Sequence, residues 1–143
     1  MQKALYPEGP EVCHALVLHP PAGIAGGDEL TLAIDVGEGA RALVTTPGAG
    51  KWYRSRQPDG TQLARQTLDF SVGAGGMLEW LPQEAIVFDR VRGRADTTVR
   101  LAGNAVFMGL DILCLGRTAS GERFTAGSLA IASRIERDGR LLW

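Results

Sequence analysis

The sequence predicts a mainly β fold, and three observations carry that prediction. Apolar and polar residues alternate over short runs, glycine-rich turns punctuate those runs, and helical periodicity is nearly absent. Glycine occupies 19 of 143 positions, so short elements separated by tight turns are the economical reading. No strand–helix alternation appears, which argues against a doubly wound α/β fold. Periodicity alone leaves barrel, sandwich and β-solenoid open.

Taken in order, residues 12–19 read as a strand that Pro20 and Pro21 end, and a glycine loop over 22–28 closes on Asp28. Residues 30–36 alternate cleanly, with Leu30, Leu32, Ile34 and Val36 inward. Residues 40–46 form the next strand, and the corner 47–50 leads into Lys51, Trp52, Tyr53, Arg54 and Ser55. A polar turn is expected at 56–61, then a strand over 62–72 with Leu68, Phe70 and Val72 on one face. Residues 95–101 alternate again. Residues 104–115 are the one helical candidate: Asn104 can cap, Val106, Leu110 and Leu113 share a face, and Gly116 can supply a left-handed stop. Residues 124–137 return to β, and Asp138-Gly139 predicts a hairpin into 140–143.

The most apolar stretch is 78–89, LEWLPQEAIVFD. As extended chain it places Met77, Glu79 and Leu81 on one face and Leu78 and Trp80 on the other. Beyond Pro82 a second strand sets Glu84, Ile86 and Phe88 opposite Ala85 and Val87. The expectation is strands covered on both faces, with Glu79 and Glu84 embedded among hydrophobes and needing compensation. Buried ion pairs with arginines such as Arg54 and Arg117 are one account, and a polar channel through a β-structure is the other.

Composition narrows the function classes. Hydrophobic residues make up 45 % and charged residues 22 %, which is ordinary for a globular domain. The net charge of −1 disfavours nucleic acid or an anionic membrane as the main partner. No apolar run reaches the ~18–20 residues of a membrane helix, and the N-terminal residues do not form an export signal. Cys13 and Cys114 make no paired motif and are expected as free thiols in a reducing cytoplasm.

Three catalytic patterns fail on spacing. In TPGAGKW, Thr45 stands where a phosphate-binding loop needs its first glycine, and Trp52 occupies the Mg²⁺-ligand position. Around Ser120, Thr118 and Glu122 replace the glycines of a nucleophile elbow; Arg117 and Glu122 are instead available to pair. Cys13 and His19 are about 20 Å apart on a strand, so no local set closes a tight metal site. Paired carboxylates of a β-solenoid hydrolase are a further possibility, weakened because Pro82 breaks the register between Glu79 and Glu84.

Four spaced segments then carry a resemblance: QKALYPEGPEVCHALVLHPPAGIAGGDEL at 2–30, TTPGAGKWYRS at 45–55, LEWLPQEAIVFD at 78–89 and LGRTASGERFTAG at 115–127. In these the chain resembles the urease accessory proteins of the UreD (also called UreH) family. Gly50 and Trp52 stand where relatives often have Thr or Ser and Phe, and Asp111 where many have Glu. The resemblance covers about half of the family's usual length, so residues 1–143 are expected to be a partial UreD-like β domain lacking an N-terminal segment and a C-terminal half.

The resemblance implies a β-helix or solenoid-like stack with added helices, and a cytoplasmic nickel chaperone rather than an enzyme. It implies the urease apoprotein, UreF and the GTPase UreG as partners. It also implies transient Ni²⁺ passing through an interior tunnel, with no tightly bound cofactor. Asp28, Glu79, Glu84 and His14 are the transit candidates, because weak dispersed ligands suit a passing ion. Lys51, Tyr53, Arg54, Arg117 and Glu122 are structural or interface candidates. A half-solenoid is also expected to expose a sheet end and so to be poorly soluble alone.

Overall fold

A computed structural model of the chain describes residues 3–19, 21, 23–55 and 62–143. The polar turn expected at 56–61, Pro20 of the strand-ending proline pair and Ala22 of the glycine loop lie outside the described residues. Among the described residues twelve strands are present, and the alternation of their sequences decides which side chains face inward.

The first sheet runs β1 (Cys13–Leu16), β3 (Arg41–Thr45), β6 (Met77–Trp80) and β9 (Val106–Gly109), all parallel. The second runs β4 (Gly50–Trp52), β7 (Ala85–Val87) and β10 (Leu113–Leu115), also parallel. The third runs β2 (Glu29–Val36), β5 (Ala64–Val72), β8 (Arg92–Leu101) and β11 (Ser128–Arg137), with β12 (Arg140–Leu141) added antiparallel. Each coil of chain therefore visits the three sheets in turn and lands beside its predecessor. In the first coil the second side shrinks to one bridge, Ile24 to Trp52. The result is a three-sided parallel β-helix, and no closed barrel forms. The wrapping chain supplies the long crossover that parallel strands require.

The interior is filled along its length by apolar side chains. Phe70, Leu78, Val87, Val91 and Val99 are fully buried, each contributing roughly 1.5–3 kcal/mol by leaving water. Phe70 of β5 meets Trp80 at 5.4 Å and Phe107 at 6.1 Å between ring centroids, joining the third sheet to the first. Pro82, which cannot donate, sits at a corner held by threonines: Thr45 Oγ1 donates to the Leu81 carbonyl at 2.6 Å, and the Gln83 N–H donates to Thr46 Oγ1 at 3.0 Å.

Two expectations are corrected. Residues 104–115 form β9 and β10, not a helix; among the described residues the helical structure is a 3₁₀ turn at Thr118–Ser120. An i, i+4, i+7 apolar spacing also suits two short strands around a corner, and the preceding coil offers β6 and β7 as ready partners. Asn104 accepts the Gly75 N–H at 2.7 Å and so pins a turn rather than capping a helix. Secondly, the 78–89 stretch is covered on one face only. Leu78, Trp80 and Val87 point inward, while Glu79 and Glu84 are half-buried on the outside, and among the described residues no charged or polar residue is buried.

The hairpin forms as expected. Asp138 and Gly139 take φ of 48° and 75°, the left-handed pair that a two-residue hairpin turn needs, and Arg137 sits opposite Arg140. The last coil leaves Val106, Met108, Leu110, Leu113 and Leu115 exposed.

Candidate functional site

The outer face of the second sheet gathers most of the singled-out residues. Trp52 and Val87 point inward, so their neighbours Lys51 and Ile86, paired in register, point outward. One step further the Phe88 N–H donates to the Trp52 carbonyl at 3.0 Å, and Tyr53 and Phe88 meet edge to face at 4.8 Å. The Arg117 guanidinium lies 4.4 Å from the centre of the Phe88 ring, and its Nε donates to Glu122 at 2.7 Å. That hydrogen bond raises the Arg117 pKa and lowers that of Glu122. The expected Arg117–Glu122 pair is present.

Beside it Asp89 closes the same corner. One carboxylate oxygen accepts the Thr125 N–H at 2.7 Å, the Ala126 N–H at 3.0 Å and the Thr125 hydroxyl at 3.1 Å. The backbone of the last coil reaches this geometry through Gly116, whose φ is 78°. A Cβ there would lie 2.7 Å from the Glu122 carbonyl oxygen, so the residue expected to stop a helix instead turns a strand.

The Asp89 pKa is lowered, first by the Thr125 N–H and then by that of Ala126. A folded-state pKa below the unfolded one gives stabilisation that is present above the ordinary carboxylate range, about pH 4, and is lost as pH falls through the folded value. Asp89→Ala is therefore expected to be less stable than the parent at neutral pH, with the two converging in acid. Urea unfolding at stepped pH checks this, and a gap that stays constant through the acid range would contradict it.

The four transit candidates are dispersed. His14 in β1 and Glu79 in β6 share one outward column of the first sheet, two strands apart or roughly 10 Å. His14 Nε2 is 2.7 Å from Glu8. Glu84 precedes β7 on the second sheet, and its carbonyl accepts the Gly50 N–H at 3.0 Å. Asp28 closes the loop before β2, accepting the Ala25 N–H at 2.8 Å. Among the described residues no three His, Cys, Asp or Glu side chains converge as a metal set. The expected buried pairs of Glu79 and Glu84 with Arg54 and Arg117 are corrected: both glutamates are half-buried and in no ion pair among the described residues, Arg54 is exposed, and Arg117 pairs with Glu122. Arginine pairs instead along the outer face of the third sheet, Arg94 with Asp96, Arg100 with Asp69 and Arg134 with Glu136. Both cysteines are free, and among the described residues no helix is long and apolar enough to cross a membrane.

Phe88, Asp89 and Thr125 complete the corner; the sequence placed Phe88 on a strand face and Asp89 at the end of the 78–89 stretch, and it did not single out Thr125. Their signal was proximity in sequence to called residues, since three of the resemblance-bearing segments end at this one place.

Coils, apolar interior and a rigid aromatic–arginine corner define a parallel β-helix protein. Residues 1–143 match in full the family model described as UreD urease accessory protein, and the chain belongs to that family. It is 54 % identical over 143 residues to the urease accessory protein UreD of Azoarcus sp., covering 100 % of this chain and 49 % of that one. It is 56 % identical to the UreD of Dechloromonas aromatica, covering 100 % of this chain and 48 % of that one. For the UreD of Pseudomonas aeruginosa the identity is 50 %, with 100 % and 49 % covered. The chain thus spans about half the length of the curated relatives it matches.

Proposed function

We propose that this chain is the part of a UreD-type accessory protein that serves cytoplasmic urease maturation as a scaffold and not as a catalyst. The observation that carries this reading is family membership over all 143 residues. The geometry supports it: the β-helix holds an outward corner of Tyr53, Phe88 and Arg117 rigid, with Lys51 and Arg54 beside it, as a recognition surface needs. Its partners are the urease apoprotein, UreF and UreG, with GTP hydrolysis residing in UreG. Ni²⁺ is cargo in transit, touched weakly by the outward groups Asp28, Glu79, Glu84 and His14.

The test uses the full-length protein carrying Asp28→Asn, Glu79→Gln, Glu84→Gln and His14→Ala together. Capture of apo-urease and UreF should persist, while nickel-dependent urease activation falls several-fold. Unchanged activation would remove the transit role from these residues. Failure of the unmutated protein to bind any of the three partners would remove the scaffold reading itself.

A further inference from the structure

We draw no further inference here: the strongest candidate, the Arg137 guanidinium at the end of β11 in the last coil, whose Nε is buried without a hydrogen-bond partner among the described residues while its Nη2 donates to the Ala105 carbonyl at 3.0 Å, carries nothing because nothing in the structure shows which group covers that end of the coil.

Discussion

Phe70→Ala is expected to lower the unfolding free energy of the full-length protein by about 3–5 kcal/mol. Phe70 is fully buried, and its ring contacts Trp80 and Phe107 from two successive coils of the first sheet. Removing it deletes the transfer energy of the ring and leaves a cavity that three sheets cannot close together, because each is fixed by ladders to its neighbours. The aromatic contacts add roughly 0.5–1.5 kcal/mol beyond area. Urea unfolding should show a lower midpoint with an unchanged slope. Ile131→Ala, at a position 42 % exposed, is the comparison and should cost well under half as much. Equal losses at the two positions would show that Phe70 does not join the sheets as described.

Gly93→Val is the second large effect, expected at about 3 kcal/mol or more, with Gly93→Ala at roughly 1–3 kcal/mol. Gly93 is buried in β8, and a Cβ added there would lie 2.8 Å from two Trp52 ring carbons and 2.8 Å from Leu129 Cδ1. The indole has nowhere to go, since Trp52 is itself buried within the smaller apolar cluster with Val87 and Val91. The clash also reaches the aromatic–arginine corner, because Tyr53 follows Trp52 directly and packs on Phe88. Trp52→Phe makes room, so the double variant with Gly93→Ala should recover part of the lost stability. A double-mutant cycle measures that coupling, and simple additivity would count against the contact.

Much of the architecture was legible locally. The alternation in 30–36 and 62–72 named side chains that face inward, and Leu32 and Phe70 both pack in the core. Asp138-Gly139 named a hairpin because few dipeptides accept two left-handed residues. Arg117 and Glu122 were legible as a pair because only five positions separate them. The corner they belong to was not, because Phe88 and Asp89 come from one coil earlier and Tyr53 from two, and no local pattern reports which residues land beside each other after a full turn of chain.

The same limit explains the corrections. Residues 104–115 carry an apolar spacing that serves either a helix or two strands, and their hydrogen bonds go to β6 and β7, which sequence cannot see. At Glu79 the residues on both sides of the strand are apolar, so alternation could not say which side was the core. Taken alone, the amino-acid order set strand positions, turn chemistry, inward faces wherever the opposite face was polar, and family membership. Only the tertiary structure decided that the strands stack in parallel coils, that Glu79 and Glu84 lie outside them, and that 51–53, 84–89 and 115–126 share one corner. Those are outcomes of non-local backbone pairing, whose partners lie a whole coil apart and leave no period in the sequence.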